Sequence, residues 1–256
     1  DGGIQGRVAG IGTAHGTADA RHRVGGEAQH VAVLLHVGSG QQGHCREQLV
    51  RRGCQRIVTG GTQVGACGGV GYRQAGRQKS FTIAPEYAFN PDNSLQAEFR
   101  RVLDRDKGNG HEIEIEFKHL FNRIARDGWG WGVVLALDTE RPEGGPWTHA
   151  ATSLSVPLTL QLDEASASLL HLNLGVAKPK EERRVFTGVI AAEREVWRRT
   201  SLFAELARDR ESRLLHAGVR HWIKRERLAL DVAWQRVRSD ELRGSGVVLG
   251  LAWYDL

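Results

Sequence analysis

The stretch from His111 to Leu137, HEIEIEFKHLF-NRIARD-GWGWGVVLAL, decides the fold. In its first part Ile113, Ile115, Phe117, His119 and Phe121 alternate with Glu112, Glu114, Glu116 and Lys118. Alternation of period 2 held over eleven residues makes a strand with one apolar and one charged face. Beyond the NRIARD turn, Trp129, Trp131, Val133, Leu135 and Leu137 alternate with Gly130, Gly132, Val134 and Ala136. A soluble sandwich would bury the apolar face and leave the acidic one in bulk water. The long apolar faces and the aromatics at their ends fit a transmembrane β-strand better. Such a strand needs about 9–11 residues, with lipid on one side and a polar lumen on the other.

The same pattern runs from Phe81 to the last residue. Phe81, Ile83, Tyr87 and Phe89 oppose Glu86, and Leu95, Ala97 and Phe99 oppose Gln96, Glu98 and Arg100. Leu154, Val156, Leu158 and Leu160 then alternate with Ser153, Ser155, Thr159 and Gln161, and Leu170, Leu172 and Leu174 with His171, Asn173 and Gly175. Further strands place Phe186, Ile190 and Ala192 against Glu193, Leu202 to Leu206 around Glu205, and Leu215 to Val219 beside His216 and Arg220. The last two set Leu228, Leu230, Val232 and Trp234 against Asp231 and Gln235, and Val247, Leu249, Leu251 and Trp253 against Gly250 and Ala252. That makes eleven strands. Tight connections (Asn90–Asn93, Asn122–Asp127, Asp163–Ala167, Trp197–Arg199, Lys224–Glu226) alternate with mostly longer, charged ones. Short periplasmic turns alternating with longer external loops are the asymmetry of outer-membrane barrels. An even-numbered barrel of about twelve strands then requires one more strand before Phe81, and residues 1–80 offer no clear candidate.

Residues 1–80 differ in kind. They hold nineteen of the 32 Gly and all three Cys, but no Phe, no Trp and only Tyr72 among the Tyr. Without aromatics or periodicity they are expected to form an irregular, Gly-rich segment of low order, distinct from a barrel over 81–256. Their composition is what GC-rich DNA read in a wrong frame would encode. The Gly60–Gly71 run lacks the Lys-Ser/Thr ending of a phosphate loop, and Cys45, Cys54 and Cys67 match no zinc spacing. Ten Lys or Arg against four Asp or Glu make this third net +6, whereas the rest is net −1. The basic balance is therefore no nucleic-acid footprint of the whole chain. No run reaches the length of a membrane helix. With no Met and no secretory signal, the chain is expected to be a piece of a longer exported protein.

The lumen-facing set is dense in ionisable groups: Glu98, Arg100, Glu112, Glu114, Glu116, Lys118, Glu205, Arg220 and Asp231, with Glu86 and Glu193. Confined charges need partners, so these groups are expected to pair across the lumen or to form a constriction selecting permeating solutes. Phe121, Trp129, Trp131 and Trp253, with Phe89, Trp197 and Trp222, fall near one end of the strands; Trp147 and Trp234 fall near the other. They read as two girdles of membrane-interface rings. A serine hydrolase on the barrel wall is a lesser reading: inward His149, His171 and His216 have no Ser two residues away, and His119 and His221 read as interface rings. No His and Glu lie at metal-ligand spacing, and no cofactor is expected. The rival class is a soluble all-β ligand-binding protein whose inward face is the apolar one.

The architecture of residues 81–256 resembles the medium-sized, transporter-like outer-membrane β-barrels of Gram-negative bacteria. The closing Gly250-Leu-Ala-Trp253 is similar to the C-terminal insertion signal of that class, although Asp255 and Leu256 stand where aromatics are usual. The resemblance implies an outer-membrane location, lipid and the barrel assembly machinery as partners, and small solutes as cargo.

Overall fold

The computed structural model describes residues 65–105, 108–122, 124–163, 168–180, 183–209, 212–225, 227–239 and 243–254. Twelve strands follow in chain order: β1 (Gly65–Ala75), β2 (Gln78–Asn90), β3 (Asn93–Asp104), β4 (Gly110–Leu120), β5 (Trp129–Pro142), β6 (Thr148–Asp163), β7 (Ser168–Pro179), β8 (Val185–Trp197), β9 (Thr200–Arg208), β10 (Arg213–Lys224), β11 (Leu228–Arg238) and β12 (Arg243–Tyr254). Each pairs antiparallel with its neighbours in sequence, and β1 pairs with β12 to close the barrel. Closure leaves no unpaired sheet edge, which hydrocarbon would not tolerate.

The alternation sorts side chains to the expected faces. Phe81, Leu95, Phe117, Leu135, Leu230 and Leu249 stand exposed on the outside, each 42–50% accessible. Their partners by parity, among them Glu86, Gln96, Glu116, Lys118, Arg220 and Asp231, are buried inside. An apolar outer belt around a charged interior is the reverse of a soluble barrel, and this removes the soluble ligand-binding alternative. Among the described residues, no helix is long and apolar enough to cross a membrane.

The required twelfth strand is β1, so among the described residues the barrel takes in Gly65–Ala75 and the expected boundary at residue 80 moves back. Residues 1–64 lie outside the described residues. β1 carries little apolar pattern because its neighbours supply the surface: at Gly68 a Cβ would lie 2.8 Å from the Trp253 ring and 2.9 Å from the Ala84 carbonyl oxygen. The indole of β12 thus takes the space that a side chain of β1 would fill. β1 turns into β2 through Gly76 and Arg77, with Gly76 at φ +57°, a conformation that favours glycine.

Three further expectations change. His149 was expected inside, but the register slips between Asp138 and Thr139, which pair with Ala151 and His149. This bulge turns His149 outward, and it brings Trp147 outside as well, where Arg141 lies 5.1 Å from its ring centroid. Trp222 is no girdle residue: it is 8% exposed and packs inside against Tyr254, with ring centroids 5.5 Å apart, beside Cys67, Ala229 and Ala252. Finally, the sorting of loops by length holds with two exceptions. The longest connection, 121–128, lies at the end expected to carry tight turns, while the two-residue turn 76–77 lies at the other. That longest connection contains one helical turn, α1 (Ile124–Asp127), and Ile124 tucks against Ala88 and Leu120 to cover this end of the barrel wall. The end bearing α1 is called the lower rim below, and the opposite end the upper rim.

Candidate functional site

The charged lumen side chains stand on two walls. On the first, cross-strand register lines up Arg100, Glu112 and Glu140 in one row and Glu98, Glu114 and Asp138 in the next. Glu86, Gln96 and Glu116 form a third row, directly across β2, β3 and β4. Arg100 donates to both Glu98 and Glu112. Lys118 Nζ lies 2.9 Å from Glu86 and 3.3 Å from Glu116 and also donates to Gln96. The Ser94 hydroxyl donates to Glu86 at 2.6 Å. Arg73 of β1 sits beside Ser80 and close to Arg100 and Glu112.

The second wall is built from β8 to β11. Arg220 makes a two-pronged contact with Asp231, at 2.7 Å and 2.6 Å, and approaches Glu193 at 4.0 Å. Two rows along, Glu205 and His216 are register partners. Both are buried, yet Glu205 Oε1 and the two ring nitrogens of His216 find no hydrogen-bond partner among the described residues. The His216 ring instead lies edge-on to Phe203, at 5.3 Å. Gly218, in the row between them and Arg220, is hemmed in: a Cβ there would lie 2.5 Å from the Ala233 Cβ and 2.7 Å from the Phe203 ring. The wall between, β6 and β7, offers small or neutral groups such as Ser155, Thr159 and Ala177.

All nine lumen residues singled out from sequence point inward and are buried. Pairing is lateral, between neighbours on one wall, rather than across the lumen as expected. Lateral pairs satisfy the charges without bridging the channel axis. Sequence reasoning missed Asp138, Glu140 and Arg73 as members of the site. Asp138 and Glu140 sit past the apolar run of β5, with the inward parity of Val134 and Ala136 to mark them. Arg73 had no recognisable strand around it.

The aromatics Phe121, Trp129, Trp131, Trp147, Trp234 and Trp253 all stand on the outer face. At the lower rim Phe121 stacks on Trp131, 4.2 Å between centroids, with His119 edge-on to Phe121. His119 bonds to Asn93 at 2.8 Å and His221 to Thr200 at 3.0 Å. Among the described residues, no three His, Cys, Asp or Glu form a group that could hold a metal ion.

The closed antiparallel topology, apolar outside and ionic inside, is matched by solved structures. The KdgM porin aligns with TM-score 0.55 at 8% identity, over 73% of this chain and 98% of the porin. The fold is that of outer-membrane porins and channels. The NanC porin aligns with TM-score 0.54 at 8% identity over 73% of this chain and 98% of its own. The COG4313 outer membrane channel from Pseudomonas putida F1 gives 0.53 at 12% identity, over 79% and 97%. No family model and no curated protein sequence matches the chain.

Proposed function

We propose that this outer-membrane barrel is a narrow, passive channel that favours small cationic or neutral solutes over anions. The carrying observation is the acidic wall. Glu86, Glu98, Glu112, Glu114, Glu116, Asp138 and Glu140 face the lumen there against Arg73, Arg100 and Lys118. Rings and rows of carboxylates in a low-dielectric passage attract cations and repel anions. The KdgM porin has been solved in complex with disordered oligogalacturonate. That ligand is a polyanion, and the acidic wall here disfavours such a cargo. The reading includes no hydrolytic step: the outward rings His119, His149 and His221 bond to an amide, to a backbone carbonyl with a threonine, and to a threonine, rather than to a serine.

The test is conductance across planar bilayers holding the purified barrel, with a KCl gradient to read the reversal potential. Cation preference is expected, with Glu114→Gln and Asp138→Asn each reducing it. Anion preference, or no conductance from folded barrel, would overturn the reading.

A further inference from the structure

The outer face of the upper rim carries an arginine row that the channel reading does not use. In direct register, Arg208 of β9 pairs with Arg213 of β10, Arg213 with Arg238 of β11, and Arg238 with Arg243 of β12. Arg236 stands two residues below Arg238 on the same face, and all five are exposed. Among the described residues, none of the five has a carboxylate partner. The nearby Asp209 is engaged by Ser212, whose amide and hydroxyl donate to it at 2.6 Å and 2.5 Å. The arginines border a cleft of about 750 Å³ at the barrel edge.

Like charges directly opposite one another on a sheet destabilise it. Four in unbroken succession therefore call for an anionic counterpart. The height of the row says which kind. Below it on each strand lie Leu206, Leu215, Trp234 and Val247, the apolar belt that meets hydrocarbon. Trp234 belongs at the interface, and Arg236 and Arg238 follow it at about 3.3 Å per residue along a tilted strand. That places the row at the level of lipid headgroups, facing the bilayer rather than the lumen. With neighbouring strands about 4.8 Å apart, four arginines span roughly 14 Å, wider than a single phosphate. Guanidinium forks suit phosphate oxygens in two-pronged contacts.

We infer that the Arg208–Arg213–Arg238–Arg243 row binds the clustered phosphates of a membrane lipid's headgroup. Glu211, Asp240 and Glu241 lie outside the described residues, and neutralisation by such acidic residues is the rival outcome of the test.

The experiment titrates the full-length, detergent-solubilised barrel with three probes: diphosphorylated lipid A, the same lipid stripped of its phosphates, and inorganic phosphate. Saturable binding of the phosphorylated lipid alone is expected. Arg213→Ser with Arg238→Ser should weaken it roughly thirtyfold, the usual attraction of two surface arginines to an anionic leaflet. Arg198→Ser, an exposed arginine of the lower rim, should change nothing. The lysine pair Arg213→Lys with Arg238→Lys keeps the charge but not the two-pronged contacts, so its binding should fall between that of the unaltered barrel and that of the serine pair, and heat-modifiable gel mobility reports that each variant is folded. Equal binding of the stripped lipid would show an apolar contact only and overturn the inference. Equally tight inorganic phosphate would overturn the lipid as ligand. Unchanged binding in the folded serine pair would leave the protein's own acidic residues as the counterpart, and would also overturn it.

Discussion

Arg220 holds both oxygens of Asp231: its Nε lies 2.7 Å from Oδ1 and its Nη2 lies 2.6 Å from Oδ2, with the arginine side chain 1% exposed. Sequence alone reads Asp231 as one lumen-facing charge among many, with no partner assigned to it. The pairing changes that reading, because removing one partner of a buried pair strands the other charge. Such losses run to about 3–5 kcal/mol. Glu193, 4.0 Å from Arg220, holds this one toward the lower figure. Urea titration of folding into lipid vesicles should show Asp231→Asn clearly destabilised. Arg220→Met with Asp231→Leu should recover most of the loss, since neither charge then remains.

Leu230 sits one residue away and behaves oppositely. Its side chain is 43% exposed on the outer face, opposite Leu251 of β12 and His221 of β10. In lipid, Leu230→Ala leaves no cavity, because acyl chain replaces the lost atoms, and a cost near or below about 1 kcal/mol is expected. A close-packed core would lose about 2–5 kcal/mol. Leu230→Arg, by contrast, places a charge against hydrocarbon and should cost roughly 2–4 kcal/mol near mid-depth. The same vesicle titration separates these outcomes.

Some strands were legible from sequence because each residue reported its own environment. Across His111–Leu137 every second side chain keeps its type, so face and period could be read directly. β1 was not legible for the converse reason: Gly68, Gly69 and Gly71 carry no side chain to report with, and Trp253 supplies the surface instead. His149 was misplaced because a bulge resets parity and nothing in the residue pattern marks it. Trp222 was legible in principle, since it shares the parity of Arg220. The preference of aromatics for interfaces was given more weight than the alternation. Which carboxylate meets Arg100 depends on strand register, which the sequence of any single strand does not hold.

Gly68 tests the closing seam. With its Cβ position 2.8 Å from the Trp253 ring and 2.9 Å from a backbone oxygen, a valine there has no room unless the indole leaves. Gly68→Val should therefore weaken β1–β12 pairing and reduce the heat-modifiable form on gels. Adding Trp253→Ala should restore part of it. Removing residues 1–64 takes none of the twelve strands and should leave the folded form intact, whereas removal through Ala75 should abolish it.

Glu205 and His216 share the lumen with Arg220 but should respond with the opposite sign. The two face each other across β9 and β10, at 7% and 2% exposure. Glu205 Oε1 and both His216 nitrogens lack a partner among the described residues. A buried polar group without a hydrogen bond costs about 1–3 kcal/mol, and replacing it by an apolar group of similar shape returns that cost. Glu205→Met and His216→Leu should each leave the barrel as stable as before or more so in the vesicle titration. The double variant should approach the sum, apart from coupling between neighbours in contact. A loss of 2 kcal/mol or more, roughly the scale of breaking a charge-assisted bond, would mean that these groups are satisfied inside the lumen. The stabilised variants should also keep the cation preference of the acidic wall, since that wall lies on β2 to β5 and owes nothing to either residue.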